Sequence, residues 1–156
     1  MQNHGTPTAI TTTVLNSGLA VPTYNGSTSK IAIGDMAVNI FSALMWIYPD
    51  DNTTRSILDL DGGTTSLELD GSGDLTATGW TTPTRYINGA VANAVTQSAW
   101  SLIAVTTATG IDASNVTLGQ EASFFDGMMW GCRFYTYTLT WDEIARIYAS
   151  KLRWFQ

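Results

Sequence analysis

Apolar and polar residues alternate with a period of two along most of the chain, the pattern of strands with a buried face. The run FSALMWIY, residues 41–48, is apolar on both faces, which predicts a strand covered on both sides within a layered structure. Shorter runs begin at Arg55, Ser66, Asp74 and Thr84, separated by the turn sequences DGG, DGSGD and NGA. The pattern predicts an all-β fold, an antiparallel β-sandwich or jelly roll.

The apolar period changes to that of a helix after Thr140. Thr140 and Glu143 have the spacing of a capping box, in which each side chain accepts a hydrogen bond from the other residue's backbone N–H. Ile144, Ile147 and Tyr148 follow as an apolar stripe. We therefore predict one short C-terminal α-helix that packs by one face on the sandwich and covers an open end or edge.

Length and composition fit a single domain, because 156 residues with 44% apolar side chains can bury a sizeable core. Residues 1–20 are rich in Thr and Asn and weakly patterned, so we predict an N-terminal arm or edge strand there. The jelly-roll domain is predicted over residues 21–156. Cys132 alternates with Trp130 and Phe134, which predicts a small buried apolar role for its thiol.

The charge pattern argues against two classes of partner. The net charge is −6, and the seven Lys and Arg residues are scattered, so neither nucleic acid nor an anionic membrane is a predicted partner. The most apolar window, residues 31–49, contains Asp35, which would cost roughly 2.5–3.5 kcal/mol near the centre of a membrane helix. We predict two buried strands there. Residues 1–22 lack the basic and apolar regions of a signal peptide.

Several motifs together resemble the laminin-G-like, concanavalin-A-like lectin–glucanase jelly rolls. The closing segment FDG…RFYTYTLTWDEIARIY carries the family's final strand, corner and helix at Phe125, Gly127, Arg133, Tyr135, Leu139, Thr140, Glu143, Ile144 and Tyr148. FSALMWIYPDD, RYINGAVAN, WSLIAVTT and VTLGQ are similar to upstream strands of the family. The resemblance spans roughly residues 30–150 and implies the jelly-roll fold.

The chain departs from this family at two places. Asn88 and Gly89 precede Trp100, whereas many members have the reverse order, so the local pairing order stays open. Trp130 and Gly131 stand where the closing strand often carries acids. Any function of those acids in the family is not carried over to this chain.

Catalysis is not predicted, although sandwiches of this class include glycosidases that work with a carboxylate pair. Glu68 and Asp70 would share one strand face, faintly like part of a laminarinase-type motif, but the further acid is missing. His4 is the single histidine, so the sequence offers no Ser–His or Cys–His nucleophile and no His/Cys metal cluster. A degenerate glycosidase is the weakest of the alternatives.

The resemblance leaves calcium and glycan binding open, and no other cofactor is expected. Asp59 and Asp61 are the candidate calcium ligands, although Asp before Gly also forms turns without a metal. Trp80 stands in a Gly-, Thr- and Pro-rich segment, and with Tyr24 it is the candidate for stacking on a sugar. Trp154 and Phe155 either fold back on the domain or contact a neighbouring subunit.

The resemblance implies a non-enzymatic structural or binding protein. A free-standing example made without an export signal would need another route to the exterior, and assembly into a phage particle is such a route. We therefore expect a virion component, such as a capsid decoration or fibre protein. Its partners would be other capsid proteins, copies of itself in a homo-oligomer, and cell-surface glycans. The alternative is an extracellular, lectin-like carbohydrate-binding module.

Overall fold

The computed structural model describes residues 5–155, and His4 lies outside them. Within this part of the chain the strands in order are β1 (Thr6–Thr8), β2 (Thr11–Val14), β3 (Ala20–Asn25), β4 (Lys30–Gly34), β5 (Asn39–Pro49), β6 (Arg55–Asp59), β7 (Ser66–Leu69), β8 (Leu75–Thr78), β9 (Thr84–Ile87), β10 (Ala90–Val91), β11 (Ser101–Asp112), β12 (Val116–Leu118) and β13 (Asp126–Tyr135). Helix α1 (Trp141–Lys151) and a 3₁₀ turn (Leu152–Trp154) follow.

The strands form two antiparallel sheets. The six-stranded sheet has the order β1-β4-β12-β6-β7-β8, and the seven-stranded sheet has the order β10-β9-β11-β5-β13-β3-β2. The predicted all-β antiparallel sandwich with one C-terminal helix is confirmed. The two sheets fit a jelly-roll sandwich.

The N-terminal segment contributes an edge strand to each sheet. Strand β1 pairs with β4, with Thr6 opposite Ala32, and β2 pairs with β3, with Thr11 opposite Thr23. Ile10, between the two strands, packs against the core. Residues 5–14 are therefore part of the sandwich and bridge its two layers.

Strand β5 shows how the sequence pattern places the core. Met45 and Ile47 face the other sheet and belong to the main core, whereas Leu44 and Trp46 face outward into a second apolar cluster. All four side chains are at most 1% exposed. Coverage of both faces, predicted from the run at residues 41–48, is confirmed.

Helix α1 begins with the predicted capping box. The Glu143 backbone N–H donates to Thr140 Oγ1, and the Thr140 N–H donates to Glu143 Oε2 over 2.8 Å. Ile144 is fully buried in the second cluster with Leu44 and Leu102. The helix thus covers the outer face of the central strands β5 and β11. It also lies against the β9–β10 hairpin at the edge of this sheet, where a Cβ on Gly89 would be 3.3 Å from Ala145 Cα.

Two further observations concern membranes and the cysteine. The helices within residues 5–155 are too short and too polar to span a lipid bilayer. Cys132 packs against the main core, and burial raises the pKa of its thiol to about 12. A raised pKa keeps the half-buried thiol in its protonated, weakly nucleophilic form at neutral pH.

Candidate functional site

The two candidate calcium ligands form the turn between β6 and β7. Asp59 Oδ1 accepts hydrogen bonds from the backbone N–H groups of Gly62 and Gly63, each over 3.0 Å. Asp61 accepts from the backbone and the hydroxyl of both Thr64 and Thr65. Burial opposes the charge of Asp61, but these hydrogen bonds outweigh it and lower the pKa of that carboxyl.

This geometry favours the turn-forming interpretation of the acids. Carboxylate oxygens that already accept several hydrogen bonds are poorly placed to bind a hard cation as well. In the described part of the chain, no group of three or more His, Cys, Asp or Glu side chains is placed to hold a metal ion. Calcium binding at Asp59 and Asp61 stays a prediction without support from the geometry.

Glu68 and Asp70, the two acids of the glycosidase alternative, do not form a carboxylate pair. Asp70 accepts from the N–H groups of Ser72 and Asp74, over 2.7 and 3.0 Å, and shapes the β7–β8 turn. Glu68 instead meets Glu121, a neighbour that sequence analysis missed because it lies on a distant loop. Burial raises the pKa of Glu68, and the hydrogen-bonded Glu121 carboxyl raises it further.

Tyr24 and Trp80 are buried, so the prediction that they stack on a sugar is wrong. Tyr24 is 2% exposed and packs edge-on against Phe125, with ring centroids 5.9 Å apart. Trp80 is 6% exposed and belongs to the main core. A Cβ on Gly79 would lie 2.3 Å from the Thr64 carbonyl oxygen, so the chain passes close to that loop before Trp80 enters the core.

Exposed aromatic rings lie instead at the corner between β13 and α1. Tyr137 is 49% exposed and Trp141 is 56% exposed. We call Tyr137, Trp141 and Glu143 the corner platform. The Tyr137 hydroxyl lies 3.5 Å from Glu143 Oε1, and its ring packs edge-on against Tyr135 at 5.6 Å.

The backbone of this corner is held by hydrogen bonds to side-chain hydroxyl groups. Ser42 Oγ, fully buried, donates to the Tyr137 carbonyl over 3.0 Å and accepts from the Leu139 N–H over 2.9 Å. Thr138 Oγ1 donates to the Thr107 carbonyl over 2.7 Å. These bonds fix the backbone that carries the exposed rings, as a preorganised binding surface requires.

Sequence analysis missed the corner platform for a physical reason. Trp141 is three residues before Ile144 and seven before Tyr148, so its spacing places it on the apolar stripe and predicts burial. The first turn of the helix nevertheless leaves its ring exposed. Tyr137 follows the closing strand, where alternation no longer indicates which side is buried.

A second aromatic cluster lies on the outer face of the seven-stranded sheet. Trp46 and Trp130 are cross-strand neighbours on β5 and β13, and Trp100 lies just before β11. We call these three residues the tryptophan box. The ring of Phe155 lies 4.2 Å from Trp46, 4.6 Å from Trp100 and 5.6 Å from Trp130, measured between centroids.

Of the two alternatives for the tail, Phe155 adopts the first and folds back on its own domain. Because its ring is only half-buried, a contact of Phe155 with a neighbouring subunit stays a prediction. Trp154 is 36% exposed, with the Arg153 guanidinium 5.2 Å from its ring centroid. A partner contact at Trp154 stays a prediction.

An internal ion pair neutralises acids at one end of the sandwich. Arg55 pairs with Asp51 and lies 3.6 Å from Asp126 Oδ2. Its Nη1 also donates to the carbonyls of Gly26 and Phe124, over 3.3 and 3.2 Å. Hydrogen bonds from Arg55 hold the pKa of Asp51 well below its usual range. Arg55 thereby ties three loops together.

Comparison with known proteins identifies a structural likeness. No protein-family model and no curated protein sequence matches the chain. Its structure is similar to domain 4 of AbnA, a GH43 extracellular arabinanase from Geobacillus stearothermophilus, solved in complex with arabinotriose. The TM-score is 0.62 at 16% identity, covering 90% of this chain and 81% of that one. At this identity the likeness shows the fold alone: the chain shares the β-sandwich of that domain.

Proposed function

We propose that the protein is a non-catalytic carbohydrate-binding module that binds short oligosaccharides at the corner platform. The observation that carries the proposal is the exposure of Tyr137 and Trp141, 49% and 56%, on a sandwich similar to a domain solved with arabinotriose. Exposed rings of this kind bind the apolar C–H face of a sugar while its hydroxyl groups stay in water.

The platform combines the chemical groups that such binding needs. The two rings supply flat apolar surface, and Glu143 Oε1 can accept a hydrogen bond from a sugar hydroxyl because its Tyr137 contact is long, at 3.5 Å. Glu143 Oε2 is held by the Thr140 N–H, which fixes the carboxylate. The Ser42 hydroxyl hydrogen-bonds to the backbone of this corner and fixes it in the free protein. Less conformational entropy is therefore lost when a sugar binds.

The affinity expected from this arrangement is modest. Two ring contacts and one or two hydrogen bonds correspond to roughly 4–5.5 kcal/mol, or a Kd of about 0.1–1 mM. Modules with such affinity serve to hold a protein on a polysaccharide with many repeated sites. This supports an extracellular setting, the alternative that fits a neighbour from an extracellular enzyme.

A role without catalysis is supported by Asp70, the second acid that the sequence placed beside Glu68. Its carboxylate is held in the β7–β8 turn by the N–H groups of Ser72 and Asp74. The phage-particle role and the homo-oligomer implied by the resemblance find no support in this neighbour.

Calorimetric titration with arabinotriose, xylotriose and maltotriose tests the proposal. We expect at least one of them to bind the unaltered chain, and Trp141→Ala to weaken that binding at least tenfold. Val91→Ala is the control, because it removes a 69% exposed apolar side chain from edge strand β10. Binding that is unchanged by Trp141→Ala, or absent for all three sugars, would contradict the proposal.

A further inference from the structure

We propose that the tryptophan box is a second saccharide site, which the ring of Phe155 occupies in place of a sugar. The inference rests on the proposed function for its ligand class and concerns a different surface. It starts from the shape of the box, in which the rings of Trp46, Trp100 and Trp130 all lie within 5.6 Å of one phenyl ring.

Phe155 fits the box by stacking and leaves one polar group unsatisfied. Its ring is nearly parallel to that of Trp46, with planes 23° apart and centroids separated by 4.2 Å. Trp46 is 1% exposed, and its Nε1–H has no hydrogen-bond partner within residues 5–155. A buried donor without an acceptor costs free energy, and a phenyl ring accepts at best a weak hydrogen bond.

A sugar ring meets both requirements of this site. Its C–H face stacks on an indole as a phenyl ring does, and its hydroxyl oxygens accept hydrogen bonds from an indole N–H. A cavity of about 150 Å³ adjoins Phe155 and is also lined by Leu15, Asn16, Trp100 and Trp154. The Asn16 amide adds a donor and an acceptor at this edge.

The tail that occupies the box can leave it without breaking the sandwich. Phe155 is the last described residue and follows the 3₁₀ turn Leu152–Trp154, outside both sheets. A hydrogen bond from Ser17 Oγ to the Trp154 carbonyl, 2.7 Å long, holds the tail to the β2–β3 hairpin. The tail therefore competes with ligand for the box.

The competition between the tail and a sugar determines how much the apparent Kd of the box should change. If the tail must leave before a sugar enters, the apparent Kd is the intrinsic Kd divided by the open fraction. Burial of a phenylalanine ring favours the closed state by roughly 10- to 100-fold. Removal of the ring should lower the apparent Kd of the box by a similar factor.

The test uses the full chain with the corner platform disabled. Trp141→Ala and the double variant Trp141→Ala/Phe155→Ala are each titrated with arabinotriose, xylotriose and maltotriose. The indole N–H signals of the ¹⁵N-labelled protein are recorded at each point, with Trp46 assigned through Trp46→Phe. We expect the double variant to bind one trisaccharide about 10- to 100-fold more tightly, with a shift of the Trp46 signal.

Two outcomes overturn the inference and distinguish it from the proposed function. If the unaltered chain binds sugar and the double variant binds no better than Trp141→Ala, the box is not a saccharide site and the corner platform stands. If no variant binds any of the three sugars, both proposals fail.

A second variant keeps the inference testable if Phe155→Ala does not fold. If Phe155→Ala unfolds the protein, Phe155→Leu keeps an apolar side chain in the box and loses the ring stacking. We then expect at least a threefold gain in affinity with a shifted Trp46 signal. A folded Phe155→Leu variant without that gain also overturns the inference.

Discussion

Trp46 and Phe155 stack at 4.2 Å between ring centroids, which joins the middle of the seven-stranded sheet to the end of the described chain. Trp46 lies on central strand β5, and its ring is also stacked with Tyr148 of helix α1 at 5.7 Å. Helix and tail therefore cover one sheet face together, and the second apolar cluster closes only when the last residues are in place.

Phe155→Ala should lower the free energy of unfolding by about 1–3 kcal/mol, less than for a fully buried phenylalanine because this ring is only half-buried. Urea denaturation measures the change. Trp154→Ala is the comparison, since that side chain is 36% exposed, and we expect a loss below about 1 kcal/mol. Equal losses for both variants would contradict the tight packing of Phe155 in the box.

Thr140→Ala should destabilise the protein by about 1 kcal/mol, because it removes the oxygen that accepts the Glu143 N–H at the start of α1. Thr140→Ser keeps that oxygen and should change stability by less than half as much. Thermal unfolding followed by circular dichroism compares the two variants. A serine variant as unstable as the alanine variant would show that the hydroxyl is not the stabilising group.

The capping box of α1 and the burial of both faces of β5 could be predicted from the sequence because they depend on local spacing. A capping box is set by residues three apart, and the two-faced pattern of β5 by alternation along one strand. Burial of Tyr24 and Trp80, by contrast, depends on how distant loops close over the sandwich, as at Gly79 and Thr64. The effect of Glu121 on the pKa of Glu68 also links residues far apart in the chain, which no local pattern reports.

The Asp51–Arg55 pair should stabilise the fold above about pH 4 and lose its effect in acid. Its carboxyl has a pKa below the unfolded value of about 3.9, so the stability it adds is present above that pH and lost as pH falls. Asp51→Asn should cost about 0.5–1 kcal/mol at pH 7, a small value because solvent screens the pair. Urea midpoints at pH 7 and pH 2.5 measure this, and an equal cost at both would refute the assignment.

Glu68→Gln should raise the stability of the protein at pH 7, the opposite of the effect expected for Asp51→Asn. The pKa of Glu68 is raised by burial and by Glu121, so its proton favours the fold at low pH and that stability is lost as pH rises through the folded pKa. The amide variant should therefore unfold at a higher urea concentration than the unaltered chain at pH 7, and at a similar one at pH 3. A variant less stable at pH 7 would show that the charged carboxylate stabilises the fold.

The most direct test of the account is an NMR titration of the ¹⁵N-labelled chain with arabinotriose, xylotriose and maltotriose, following all six tryptophan indole signals. Because Trp141 is 56% exposed at the corner that also carries Tyr137, we predict that its signal shifts most, with a Kd of about 0.1–1 mM for at least one sugar. Spectra unchanged by all three sugars, or shifts that leave the Trp141 signal in place, would contradict carbohydrate binding at the corner platform.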